Sequence, residues 1–237
     1  MLIAGFPAGA WAANCYVVAT GPGTECVIVD PGQDAAAGIE QIVAEHRLKP
    51  VSVLLTHGHV DHMWSVAPVA GTYDATAYIH PADRHLLADP MAGLSQESTQ
   101  MLLGGRYEFA EPERVEEIAD GGVLELAGLE ITVDHTPGHT EGSVVFRTPY
   151  GDQGVSQVMF AGDLLFEGSI GRTDLPGGDH ATMLRTLRDK VLTLPDDIVV
   201  LPGHGGQTDI GRERRTNPFL LDLIDDGDGP PPVTRGL

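Results

Sequence analysis

The chain sets four short segments directly behind apolar runs: Thr56-His57-Gly58-His59-Val60-Asp61-His62, Thr136-Pro137-Gly138-His139-Thr140, Phe160-Ala161-Gly162-Asp163 and Leu201-Pro202-Gly203-His204. Between them they place five histidines and two aspartates where a strand gives way to a loop. This placement constrains the fold more than any average property does. Side chains on loops leaving strand ends converge only if a rigid sheet holds those ends together. An α/β architecture organised around such an edge is the expectation.

The spacing within the segments points to metal ions. In an extended stretch alternate side chains point the same way, so His57 and His59 can grip one ion from one side. The turn into a following helix re-aims Asp61 and His62 toward a second ion. Imidazole and carboxylate are the usual nitrogen and oxygen ligands of zinc, with iron and manganese as further possibilities. His139 and His204 each follow a Pro-Gly turn that fixes the backbone. Asp163 ends the apolar run from Val158, and its two oxygens can bridge two metals. Taken singly, each of these three is more often structural; their shared strand-to-turn placement makes one constellation. Two divalent ions are therefore expected, zinc first, iron or manganese as alternatives.

Along the chain, strand and helix patterns alternate. An opening strand is followed by paired strands at 14–18 and 26–30 around Gly21-Pro22-Gly23. Helical spacing over 34–46 precedes a strand at 51–55 that is apolar nearly throughout, as expected when both faces are covered. A strand at 76–80 leads into helical or irregular material at 82–118. Strands are expected near 123–126, 129–134, 143–148 and 158–161, a helix at 180–192 and a last strand at 198–201. Residues 1–224 read as one domain, and 225–237, rich in Gly, Pro and Asp, as a disordered tail.

Composition excludes several partners. Acidic residues outnumber basic ones 34 to 14, for a formal net charge of −20, and the lysines are Lys49 and Lys190 alone. Such a surface repels phosphate backbones and anionic lipids, so neither nucleic acid nor a membrane is expected as a partner. The apolar N-terminus has no basic residue before Arg47, which favours an opening strand over an export signal. No run approaches a membrane span. Cys15 and Cys26 lie outside the four segments and are too few for a disulfide framework. They read as buried small hydrophobes, in a cytoplasmic protein.

With these motifs in view, the chain resembles the metallo-β-lactamase-fold hydrolases, and more narrowly their glyoxalase II-like (hydroxyacylglutathione hydrolase) branch. The likeness covers most of residues 1–220. It is strongest in THGHVDH, TPGHTEGS, FAGDLLF, GSIGRTDLPGGD at 168–179 and LPGHG, with softer agreement in NCYVV at 14–18, VDPG at 29–32 and NPFL at 217–220. The resemblance implies a four-layered αββα sandwich with the metals at one edge of its two sheets. It implies His57, His59 and His139 on a first ion, Asp61, His62 and His204 on a second, and Asp163 shared. A bridging hydroxide held by Asp163, with Asp61 beside it, would attack an acyl carbonyl. A small thioester suits this chemistry, because a thiol with a pKa near about 8.5 leaves as thiolate without a strong general acid.

Substrate contacts are less defined. Arg172 and Asp174 follow the shared carboxylate and form either an ion pair that shapes the loop or a solvated turn. Arg172 and Arg215 are the candidate substrate contacts, with Arg212, Arg214 and the NPFL stretch as parts of a thiol-carrier site. The glutathione-binding helical domain of glyoxalase II has little room in the 33 residues after His204. His135 could support His139 from behind but is expected to be structural, as is His80; His46, His85 and His180 are assigned no chemistry. Three rivals remain. One is a persulfide dioxygenase-like oxygenase with a single iron on His57, His139 and Asp163. Another is a lactonase or β-lactamase of the same fold. The third is a non-enzymatic metal-binding domain, which a cysteine-free set with ligands for two ions disfavours.

Overall fold

Residues 1–95, 99, 109–152 and 154–225 are described in the computed structural model. The stretch 226–237 of the expected tail lies outside them. The first sheet runs β1 (Leu2–Ala8), β2 (Ala13–Ala19), β3 (Glu25–Val29), β4 (Lys49–Leu54), β5 (Thr76–Ile79) and β6 (Val115–Glu117), in that order across the sheet. Its first three strands are antiparallel and the rest parallel, so α1 (Ala35–His46) and the helices α2 (Val60–Met63) and α3 (Val66–Tyr73) serve as crossovers.

The second sheet is built from β7 (Val123–Leu126), β8 (Leu129–His135), β9 (Val144–Asp152), β10 (Val155–Gly162), β13 (Val199–Pro202) and β14 (Thr208–Asp209). A small hairpin, β11 (Leu165–Phe166) with β12 (Ser169–Ile170), stands beside it. Between β12 and β13 lies α4 (His180–Thr186), which continues as a π-helical turn over Leu187–Val191. The chain ends in α5 (Ile210–Thr216) and α6 (Pro218–Asp225).

Alternation along the strands dictates the layering. Val17, Ile28 and Val53 point to one side of the first sheet and pack with Ile39 of α1 and Val66 and Val69 of α3. Their neighbours Val18, Val27, Val29 and Leu54 point to the other, against Phe146, Val158, Phe160 and Leu201 of the second sheet. Val145, Met159 and Val200 face the far side, where Met183 of α4, Ile210 of α5 and Leu220 and Leu223 of α6 cover them. Strands apolar on both faces are thus sandwiched between a sheet and a helix layer, giving helix–sheet–sheet–helix. The αββα expectation holds.

Several elements differ from the sequence reading. No helix was expected after the strand at 198–201, yet α6 packs Leu220 and Leu223 against the second helix layer and includes Asp225, the first residue of the expected tail. The apolar pattern there is short and adjoins a Gly/Pro/Asp-rich stretch, which masked it. The strands β6, β11, β12 and β14 carry two or three residues each, too few to show a period. Cys15 and Cys26 are free and buried. No helix of the described residues is long and apolar enough to cross a membrane.

Candidate metal centre

All seven expected ligands meet at one edge of the sandwich. His57 and His59 lie just past β4, with Asp61 and His62 inside α2. His139 sits in the loop from β8 to β9, Asp163 directly after β10, and His204 two residues after β13. Three groups bring one ligand atom each to within 4.8 Å of one another: His57, His59 and His139; His57, His62 and Asp163; and Asp61, His62 and His204. Asp163 stands between the clusters. Its Oδ1 lies 3.4 Å from His62 Nε2, and its Oδ2 lies 3.5 Å from His139 Nε2 and 3.7 Å from His204 Nε2. Gly162 allows this approach: it takes φ +47°, and a Cβ there would meet Thr56 Oγ1 at 2.5 Å.

Hydrogen bonds behind the rings assign their tautomers. Thr56 Oγ1 donates its one proton to Asp30 Oδ2 at 2.6 Å, so at 3.0 Å from His57 Nδ1 it accepts. His57 Nε2 is then left as a lone pair facing inward. His139 Nδ1 donates to the Arg172 carbonyl (2.7 Å), which leaves its Nε2 facing His59 Nδ1 at 2.8 Å. His62 Nδ1 donates to Asp30 Oδ2 (3.1 Å) and turns Nε2 toward His204 and Asp163. Among the described residues, buried His57 Nε2, His59 Nε2 and Asp163 Oδ1 have no hydrogen-bond partner. Orphaned acceptors in a buried cluster are costly unless something positive completes them, and imidazole with carboxylate is a donor set for divalent cations. The residues present therefore fit metal ions.

The electrostatics divide the cluster in two. Burial, reinforced by His62, His139 and His59, pushes the His57 imidazole well below its ordinary value. Burial and the neighbouring His139 push His59 down to about 3. On the other side burial opposes protonation of His62, but Asp61, Asp163 and Asp30 outweigh it and hold its pKa high. His204 is raised against its own burial by the bond its Nε2 donates to Asp61 Oδ2 at 3.2 Å and by Asp163. Burial would raise the carboxyls of Asp61 and Asp163, yet the surrounding imidazoles, His62 foremost, bring both below the usual range.

Residues that the motif reading passed over secure this edge. Asp30 binds Thr56 N (2.8 Å) as well as Thr56 Oγ1 and His62, tying the end of β3 to both ends of the 56–62 segment. Asn14 donates from Nδ2 to the carbonyls of Pro202 (3.0 Å) and Gly205 (2.9 Å), and Tyr16 Oη donates to Pro202 (2.7 Å), which fixes the His204 loop. Asn14 and Tyr16 lie in NCYVV and Asp30 in VDPG, and the agreement of those stretches was the only signal for the three.

A cleft of about 410 Å³ opens over the ligands, walled by Trp11, Leu94, Phe166, Ile170, Leu175 and Arg172. Arg172 reaches this wall, and its guanidinium pairs with Asp174 through two bonds of 2.7 Å, both side chains exposed. Arg215 is exposed on α5 and is not part of the cleft wall. Arg212 pairs with Glu167, and Arg214 donates to the Leu192 and Leu194 carbonyls. His80 and His135 stack face to face at 4.1 Å, and His135 Nε2 lies 2.9 Å from the Glu141 carbonyl.

The family model described as the metallo-beta-lactamase superfamily matches residues 8–204, from the first strand to the last ligand. The chain belongs to that superfamily. A Mycobacterium tuberculosis protein is 52% identical over 224 residues, which is 94% of this chain and 99% of that one. The hydroxyacylglutathione hydrolase GloC of Haemophilus influenzae is 34% identical over 90% of this chain and 95% of its own. Among solved structures, the BLEG-1 B3 metallo-beta-lactamase superposes with a TM-score of 0.79 at 38% identity, covering 92% of this chain and 99% of that one. A crystal structure of a di-iron-bound form superposes at 0.70 with 35% identity, covering 90% and 97%. Family membership and the convergent ligands agree on a metallo-hydrolase.

Proposed function

We propose that this protein is a binuclear metal-dependent hydrolase of small thioesters. The observation that carries the reading is the position of Asp163, whose two oxygens face the His139 side and the His62 side of one seven-residue cluster. In this reading His57, His59 and His139 hold one divalent ion, Asp61, His62 and His204 the other, and Asp163 serves both. Zinc, iron and manganese all suit the donors, and the di-iron form of a relative at 35% identity supports a two-ion site. Divalent ions bound there supply Lewis acidity, making a nucleophile from water near neutral pH and polarising a carbonyl.

The chain's own residues do the rest. Asp30, Thr56 and the Arg172 carbonyl keep the rings aimed inward, so that no reorganisation is needed at the moment of reaction. Asp61, partly open to the cleft, and Asp163 present carboxylate oxygens that accept hydrogen bonds from the attacking water and orient it. Trp11, Leu94, Phe166 and Ile170 give the acyl group an apolar wall and limit water around it. The thioester assignment draws on the similarity to GloC. A second reading, hydrolysis of a β-lactam amide, draws on the 38% identity to BLEG-1. Parallel assays of S-lactoylglutathione and a chromogenic cephalosporin decide between them. The proposal expects kcat/KM to be higher for the thioester; hydrolysis of the cephalosporin alone would overturn it.

A further inference from the structure

Asp83 lies in the segment after β5, is 1% exposed, and stands apart from the seven ligands. Its Oδ2 accepts from Gly58 N at 2.8 Å and from Thr140 Oγ1 at 2.6 Å, and its Oδ1 accepts from Gly142 N at 2.7 Å. Gly58 sits between His57 and His59, and Thr140 follows His139. One carboxylate thus joins the loop leaving the first sheet to the loop leaving the second, at the residues flanking three candidate ligands. Ser143 completes the junction, its Oγ 2.7 Å from Thr140 Oγ1 and accepting from Thr140 N at 3.1 Å. Position 142 has no room for anything but glycine, since a Cβ there would lie 2.5 Å from Asp83 Cγ. Buried carboxylates that accept several N–H and O–H bonds make short, charge-assisted contacts that fix geometry more firmly than neutral ones.

We propose that Asp83 is a positioning residue for the metal centre: its carboxylate clamps the His57–His59 loop to the His139 loop and sets the distance between their imidazoles. The inference rests on the reading of His57, His59 and His139 as ligands. An amide in place of the carboxylate turns an N–H toward either Gly142 N–H or Gly58 N–H, so the clamp loosens whichever way it points.

The test compares wild type, Asp83→Asn, Thr140→Val and the double variant by zinc affinity in competition with a chromophoric chelator, and by the visible spectrum of the cobalt(II)-loaded proteins. D83N is expected to bind zinc about 10- to 100-fold more weakly, the scale seen when an outer partner of a metal ligand is removed, with an altered cobalt spectrum. T140V is expected to lose less, and the double variant no more than D83N, because both changes act on one junction. Zinc affinity and cobalt spectrum unchanged in D83N, or losses that simply add, would overturn the clamp. If D83N does not fold, T140V decides, and wild-type affinity there overturns it equally. No substrate enters these measurements, so they stand even if thioester hydrolysis fails; a wild type that binds no zinc sinks both readings.

Discussion

His57, His59 and His139 are 1%, 3% and 2% exposed, whereas the side chains of Asp61 and His204 keep 19% and 30% of their surface. The first group is all imidazole, and burial with mutual repulsion drives His57 and His59 toward the neutral form that can donate a lone pair. The second mixes imidazole with carboxylate, and those carboxylates favour a positive charge on His62 and His204. A sealed, all-imidazole group and a mixed group with two partly open members, Asp61 and His204, meet at a single aspartate. In the proposed two-ion reading this contrast implies a division of labour, with the sealed group retaining its ion and the group of Asp61 and His204 exchanging water and substrate.

The strongest challenge to that division removes the shared residue. Asp163→Asn is expected to lower kcat about a thousandfold, several kcal/mol of charge stabilisation, and to weaken metal retention on both sides. Loss of only one ion's worth of metal would show that Asp163 belongs to one group alone. Next come the two histidines at comparable positions. His139→Ala should strip the tightly held metal on dialysis, whereas His204→Ala should keep it and still lose about a hundredfold in activity. Equal retention in both variants would erase the distinction between the groups.

Smaller effects separate support from surface. Asp30→Asn leaves the ligands in place but removes the acceptor behind His62 and the partner of Thr56. Metal affinity is expected to fall about 10- to 100-fold, read by chelator competition. Asp174→Ala breaks an exposed pair and should leave the midpoint of denaturant unfolding nearly unchanged. It frees Arg172 at the cleft wall, so KM for an anionic thioester should fall slightly. A large loss of stability there would mean the loop is held by that pair.

The candidate cluster was legible because each member ends an apolar strand or opens the helix after it, so motif and scaffold share one signal. His57 and His59 needed only the alternation of an extended segment, and His139 and His204 the Pro-Gly turns before them. Asp30, Asp83 and Asn14 were not legible as supports, since a lone polar residue near a turn has no period. Their meaning depends on partners 26, 59 and 191 residues away. The layering followed from strands apolar on both faces, whereas α6 was lost beside a low-complexity stretch. Arg215 was chosen for its place beside the NPFL stretch, and position in the chain alone did not show that it stands outside the cleft wall.

The most direct measurement counts metal ions in the purified protein and follows S-lactoylglutathione hydrolysis before chelation, after it, and after metal is restored. The account predicts two equivalents of a divalent metal, with turnover lost on chelation and recovered on reloading. Protein that takes up no metal, or holds one iron and consumes oxygen in place of hydrolysing the thioester, would contradict it.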